Sequence, residues 1–332
     1  MLAAHSDLDH TLKWLQAQPQ GTLLCEPSGV HLVQVIKRGS RIQLVLLDQS
    51  SLSSQLLQSE WDLEQPFQLT AVSTQALLLG LVGVPQPRRI YLAGLGGGRL
   101  AFVLHRSLPT VTLECAEIEP LLLQVSQQFF GLRPDERLRL HLADGRAYLT
   151  AATDAYDLIL VNVALGNGYT PYALATADFY QLCQRRLSAA GAIAVNLPAL
   201  DPYLADKVYT FSQVFSQSYV CALANGNTIL LGFQTDERSL SELQAQAQQL
   251  SQVYPFAPAI EPLAATLQTS HTWLCSFAHP PHLLTDKTPP HGYFDRLPRF
   301  NTLFAQVASD QPCPCGSGRR FESCHGSFGD YE

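Results

Sequence analysis

Arg88-Arg89-Ile90-Tyr91-Leu92-Ala93-Gly94-Leu95-Gly96-Gly97-Gly98-Arg99-Leu100 is a short apolar run that ends in a glycine cluster and passes into a helical pattern. That is how a buried strand hands over to a helix through a loop whose backbone must approach a ligand closely. A dinucleotide fingerprint needs G-x-G-x-x-G; with Gly94 and Gly96 as its first two glycines, Arg99 stands where the third should be. A phosphate-gripping P-loop needs a lysine that does not follow. An acid, Glu117, closes the next apolar run, 111–113. A carboxylate there can accept hydrogen bonds from both hydroxyls of a ribose. Glycine loop, acid after the second strand and no pyrophosphate signature point to an adenosine ligand such as S-adenosylmethionine.

The pattern around this stretch alternates between strand and helix. Strands are predicted near 89–94, 111–117, 137–142, 157–163, 190–197, 217–224 and 227–234, and helices near 98–106, 119–129, 176–187 and 201–213. Short connections between them predict a mostly parallel sheet covered on both faces. Ala224-Asn225-Gly226-Asn227 joins the last two strands as a tight hairpin. The expectation is an α/β, Rossmann-like, seven-stranded sheet of the S-adenosylmethionine-dependent methyltransferase type. Gly94, Gly96, Gly98, Glu117, Asp144, Gly145 and Asn162 then fall at or just beyond carboxyl ends of strands, where open sheets bind ligands. Asp144 can take the adenine amino group or merely cap a helix.

The flanks differ. Residues 1–20 read as an amphipathic helix with Leu8, Leu12, Trp14 and Leu15 on its apolar side. Period-two stretches at 22–25, 30–35 and 42–47 read as a small antiparallel β unit, followed by a helix over 68–81. Residues 237–252 form a Gln-rich helix, and 254–300 is a Pro- and His-rich wrap over the sheet. Its histidines His271, His279 and His282 have spacings that fit no compact metal site. The resulting organisation is 1–70, 71–236, 237–310 and a tail at 311–332.

With 332 residues, 46% hydrophobic and 15% charged, a sizeable core is expected. A net charge of -7 argues against general nucleic-acid binding. No apolar run approaches the ~20 residues that span a bilayer. Cys25, Cys115, Cys183, Cys221 and Cys275 are scattered singly, so a cytoplasmic chain with free thiols is expected. Cys313, Cys315, Cys324 and His325 are different. Three thiolates and an imidazole make a closed tetrahedral set for structural zinc, with Gly316 and Gly318 easing the turn. Such a knob folds on metal and offers Arg319 and Arg320 as a small basic face for a protein partner.

The end of the fourth strand bears on the chemistry. Alkyl transfer to an amine needs a neutral amine, and a carboxylate there would hold it and take its proton. The chain has Asn162, which can position a substrate but cannot act as a base. Tyr169, Pro171 and Tyr172 follow, as an aromatic wall or as loop packing.

Residues 22–236 resemble the spermidine synthase (polyamine aminopropyltransferase) superfamily, through 44–48, Gln58-Ser59, 92–98, Glu117-Ile118-Glu119-Pro120, Ala143-Asp144-Gly145-Arg146, 156–161 and Asp178-Phe179-Tyr180. Leu283-Leu284-Thr285-Asp286 is similar to the segment that closes that family's C-terminal part. The resemblance implies that Gln58, the 94–98 loop, Glu117 and Asp144 contact S-adenosylmethionine or its decarboxylated form, and that the chain is a homodimer. It also shows departures. The family's pair of amine-handling aspartates matches Asn162 and Leu165, and its Tyr-His-Glu-like motif is replaced by Ser73-Thr74-Gln75. A spermidine synthase-like transferase, methyl or alkyl, with an unidentified small-molecule or protein acceptor is therefore expected. The alternatives are a non-catalytic adapter, or a true aminopropyltransferase with its acid supplied by another segment such as Asp286. The tail is similar to the SEC-C zinc motif.

Overall fold

Period-two alternation in the first sixty residues buries one face of a small sheet. After helix α1 (Leu2–Ala17) come β1 (Gly21–Ser28), β2 (His31–Arg38), β3 (Arg41–Asp48) and β4 (Ser51–Asp62), antiparallel and adjacent in that order. Val33, Val35, Ile42 and Leu44 supply the inward face, on which Leu8 and Leu15 of α1 are also buried. The Lys37 ammonium donates to the carbonyls of Gln16 and Gln18 at 2.6 and 2.7 Å, a cation placed on the carboxyl end of α1. The fourth strand is the unexpected one. Its Ser- and Gln-rich sequence lacks β-branched residues, and pairing with β3 shifts register between Leu44/Val45 and Leu47/Asp48. The computed structural model describes residues 2–28, 31–48, 51–164, 169–198, 201, 203–234, 238–254, 260–277, 280–287, 289–290 and 293, with isolated positions 310, 311 and 320.

The helix expected over 68–81 is two short pieces, α2 (Val72–Leu77) and α3 (Gly80–Gly83). Both glycines of α3 are closely packed: a Cβ on Gly80 would sit 2.7 Å from Leu158 Cδ1 and one on Gly83 2.3 Å from Phe233 Cε1.

The large sheet then builds as β5 (Arg89–Ala93), α4 (Arg99–Ser107), β6 (Thr112–Glu117), α5 (Pro120–Phe129), β7 (Leu138–Leu142), α6 (Gly145–Ala151), β8 (Tyr156–Val161), α7 (Ala177–Arg186), β9 (Leu187–Leu197), α8 (Leu204–Val214), β10 (Ser218–Ala222) and β11 (Thr228–Phe233). Helix α9 (Leu240–Val253), α10 (Ile260–Ala264), β12 (Gln268–Thr269) and α11 (Ser270–Leu274) follow. Spatial order is β12-β10-β11-β9-β8-β5-β6-β7. The five strands β5 to β9 run parallel, while β11, β10 and β12 are antiparallel additions. All seven expected strands are present within a few residues. The two-residue β12 extends the sheet past them and comes from the stretch read as an irregular wrap.

Parallel strands covered on both faces must be apolar throughout. Along β5, Ile90 and Leu92 enter one core while Tyr91 and Ala93 enter the other; along β8, Leu158 and Leu160 divide from Ile159 and Val161 in the same way. The 283–286 segment is clasped onto the helices of the second face. Arg146 grips both carboxylate oxygens of Asp286, Thr176 Oγ1 donates to Asp286 Oδ1 at 2.7 Å, and Asp286 N donates to Asp178 Oδ2 at 2.9 Å. Leu284 N donates to Thr210 Oγ1 at 2.9 Å and its carbonyl accepts from Ala177 N at 2.8 Å.

Candidate nucleoside site

Chain order reverses between β5 and β8, and the glycine loop leaves β5 at that point. Gly94 has φ +84°, and a Cβ there would lie 2.5 Å from the Asn162 carbonyl oxygen. Only glycine lets these two strand ends approach so closely. Gly96 also has positive φ, +54°, yet a Cβ on it would meet nothing nearer than the Gln58 carbonyl oxygen at 3.9 Å. Its surface faces open space, so the loop is shaped for an approach from outside. Gly98, φ +75°, starts α4. Arg99, where a dinucleotide loop has its third glycine, is buried and stacked on Trp61 and Phe102, with its guanidinium donating to the carbonyls of Pro66 and Phe130. Burial without a carboxylate pushes its pKa down to about 9. It pins the small sheet to the large one and has nothing to do with a pyrophosphate.

Glu117 is buried at the end of β6. Its Oε2 accepts from Leu95 N at 2.9 Å and Gly96 N at 3.3 Å, and its Oε1 accepts from Glu119 N at 3.0 Å. The side chain expected to face a ribose thus also carries the loop. A carboxylate has about four acceptor positions, so capacity for a hydroxyl remains. Asp144 caps α6, its Oδ1 accepting from Ala147 N at 2.7 Å. The capping reading therefore describes this structure, and Gly145 behind it is held by Tyr91, whose hydroxyl donates to the Gly145 carbonyl at 2.6 Å.

Burial raises the pKa of both acids, Glu117 against the pull of several backbone N–H groups and Asp144 against Ala147 N, Arg146 N and the Arg146 charge. Two opposite pH effects are expected. A carboxyl with a raised folded pKa contributes stability below its unfolded value and loses it as pH rises through the raised one. Ligand hydroxyl and amino groups bond more strongly to the ionised acceptor, so nucleoside affinity should weaken as pH drops through those same raised values. Calorimetric titration with S-adenosylhomocysteine from neutral pH down through the carboxyl range tests this, and affinity that never weakens before the protein unfolds would count against contact by either acid.

Next to these acids stand two residues the sequence pattern did not single out. Ile118 and Leu142, at the ends of β6 and β7, are 51% and 58% exposed. Large aliphatic side chains left bare beside a polar cradle suit a flat apolar ring. Their signal in the sequence was an aliphatic residue within two positions of each strand-end acid, which is too common to weigh alone.

Across the switch point, Asn162 Oδ1 accepts from Asn196 Nδ2 at 3.0 Å, and Asn196 Oδ1 accepts from Asn227 Nδ2 at 3.0 Å. Asp201, in the segment after β9, is ion-paired with Lys207, and both side chains are fully buried. Asp286 is committed to Arg146 and Thr176, so the expectation that it could stand in as the reacting acid is corrected: it is the buckle of the C-terminal clasp. Tyr172 is packing as well, its hydroxyl donating to Thr285 O at 2.7 Å and its ring lying edge-on to Tyr293. His282 lies against Asp206.

A polyamine aminopropyltransferase from Vibrio vulnificus is 30% identical to this chain over 219 residues, which is 64% of this chain and 72% of that protein. The chain belongs to the polyamine aminopropyltransferase family. Another relative, the eEF1A lysine and N-terminal methyltransferase of Xenopus laevis, is 30% identical over 208 residues, 55% of this chain but only 30% of that protein. The aminopropyltransferase fold is seen again in the crystal structure of a probable spermidine synthase from Corynebacterium glutamicum, with TM-score 0.63 at 18% identity over 82% of this chain and 99% of that one. Family membership makes this a transferase fold. The SEC-C motif model matches residues 311–327. The four expected zinc ligands, Cys313, Cys315, Cys324 and His325, lie outside the described residues, as does Leu165. Among the described residues no helix is long and apolar enough to cross a membrane.

Proposed function

We propose that this chain holds an S-adenosylmethionine-type nucleoside at the carboxyl ends of β5, β6 and β7 and transfers a methyl or alkyl group from it to an acceptor. The observation that carries the reading is the open face of Gly96, set between the Gln58 carbonyl and the buried Glu117 carboxylate. Gln58, Gly94, Gly96, Gly98, Glu117, Asp144 and Gly145 form the cradle, with Ile118 and Leu142 as its apolar walls. A bound sulfonium would supply an electrophilic carbon; the chain's own contribution is to position it and to exclude water. No strong base is needed if the nucleophile arrives deprotonated.

A second reading, the non-catalytic adapter, is favoured by one observation: Asn162 replaces the expected acid, and Asp201 and Asp286 are both neutralised by internal partners. Thermal unfolding with and without S-adenosylhomocysteine separates the cradle from its absence. Saturation at a hundredfold excess over Kd should stabilise the fold by about 2.7 kcal/mol, read as a rise in Tm. No rise would remove the nucleoside from the proposal and leave the adapter.

The tail is proposed to bind one structural zinc through Cys313, Cys315, Cys324 and His325 and to present a protein-binding knob. Cys315→Ser should abolish stoichiometric zinc, measured by metal analysis, while Tm of the sheet domain stays put. A lowered Tm would mean that the tail is not an independent module. The free thiols Cys25, Cys115, Cys183, Cys221 and Cys275 support a cytoplasmic setting. A homodimer remains the proposed assembly.

A further inference from the structure

The strand ends that line the cleft follow one another as β7, β6, β5 and β8, neighbours about 4.8 Å apart. The groups at those ends change character in the same order. Leu142 and Asp144 stand at β7, Ile118 and Glu117 at β6, the glycine loop at β5, and Asn162 at β8. If the nucleoside lies as proposed above, on which this inference rests, base and ribose take the β7 and β6 ends. The tail beyond the sulfur then runs over the loop toward Asn162, whose backbone carbonyl oxygen a Cβ on Gly94 would meet at 2.5 Å.

What Asn162 offers there is fixed from behind. An amide has one accepting oxygen and one donating NH2 group. The relay uses the donor of Asn227, both groups of Asn196 and the acceptor of Asn162. The group left over is the Asn162 NH2, which no described residue accepts. Asn227 is itself held by the hairpin, its backbone N–H donating to Asn225 Oδ1 at 3.1 Å. The sequence of the loop after β8, 163–170, contains no acid, and that after β9, 198–202, contains only Asp201, which Lys207 neutralises. Among the described residues at this strand end, the group left over is a hydrogen-bond donor and the one acid, Asp201, is ion-paired.

We infer that Asn162, oriented by Asn196 and Asn227, reads the carboxylate of the nucleoside's tail and selects S-adenosylmethionine over its decarboxylated form. A carboxylate gains charge-assisted hydrogen bonds from an NH2 group. A tail that carries only an ammonium finds no acceptor at this strand end and loses its hydration for nothing. Asn162 is the specificity-determining residue, and Asn196 and Asn227 are positioning residues.

The test is calorimetric binding of three probes to the full chain: S-adenosylmethionine, decarboxylated S-adenosylmethionine, which lacks only the carboxylate, and methylthioadenosine, which has no tail. The wild-type protein should bind the carboxylate form at least tenfold more tightly than the decarboxylated form. Asn162→Asp, near-isosteric but anionic, should reverse that preference, while methylthioadenosine binds both proteins equally and so reports an intact cradle. Asn227→Ala, outside the cleft, should shrink the preference severalfold by freeing the relay to flip. Equal or tighter binding of the decarboxylated form by the wild type overturns the inference, as does an Asn162→Asp protein whose preference is unchanged. Failure of all three probes, methylthioadenosine included, would instead overturn the nucleoside site itself.

Discussion

Replacing Lys207 with methionine is expected to lower the unfolding free energy by about 3–5 kcal/mol, because it strands a buried carboxylate. The Lys207 side chain is wholly buried and the Asp201 side chain is 1% exposed. Taking two charges out of water is expensive, and here their mutual attraction is helped by few other groups: Lys207 Nζ also donates to the Thr170 carbonyl at 3.4 Å, and Asp201 Oδ1 accepts from Tyr203 N at 3.0 Å. Without the ammonium, Asp201 must either stay charged in an apolar setting or take up a proton, and both are costly. The same pair joins the loops that follow β8 and β9, so its loss should also loosen the edge of the cleft. Urea unfolding of Lys207→Met beside the double variant Lys207→Met/Asp201→Leu checks the cause. The double variant should recover most of the loss, since replacing a buried pair by apolar residues of similar bulk is often close to neutral. If it is no more stable than the single variant, packing around Lys207 and not charge was responsible.

Gly94→Ala should cost about 3 kcal/mol of nucleoside binding, roughly a hundredfold in Kd. Two penalties coincide. The residue sits at φ +84°, where a side chain adds about 1–2 kcal/mol. The new methyl would also lie 2.5 Å from a backbone oxygen that cannot retreat, since Asn162 N is bonded to the Ala93 carbonyl at 2.9 Å and Gly94 N to the Ala116 carbonyl at 3.0 Å. The loop must move, and the N–H groups of Leu95 and Gly96 then leave Glu117. Gly39→Ala is the control: its φ is +61° but a Cβ there would meet nothing within 4 Å. It should show only the backbone penalty in stability and none in binding. Similar binding losses in both variants would deny the close approach its role.

Much of this was legible in the chain. Buried parallel strands announce themselves as apolar runs, so β5 to β9 could be placed, and Gly94, Glu117 and Asp144 could be assigned to strand ends. The 51–62 strand could not, because Ser and Gln at half of its positions hide its alternation. The helix expected over 68–81 is split at Leu78–Leu79, just before Gly80 packs against Leu158 from a distant strand, a contact that no local window contains. The double duty of Glu117 was also hidden. That an acid should stand there follows from the pattern, but which N–H groups face it is decided only when loop and strand meet. Asp286 misled for a related reason: an acid without a local partner looks available until residue 146 is brought to it. The asparagine relay was half visible. Asn162 stood out as a missing carboxylate, whereas Asn196 and Asn227 became relevant only through strand pairing.

The Arg146–Asp286 buckle spans 140 residues of chain. Closing so long a segment is entropically unfavourable and only weakly dependent on its exact length, so the contact is made once the sheet already holds its ends near each other. During synthesis, the glycine loop, Glu117 and Asp144 emerge long before Asp286, and helices α6, α7 and α8 wait with the groove for residues 283–286 uncovered. A stretch made late is thus the one that clasps these helices. A chain that ends between residues 270 and 285 would have its sheet strands complete and its flank open, a ready substrate for chaperones or proteases.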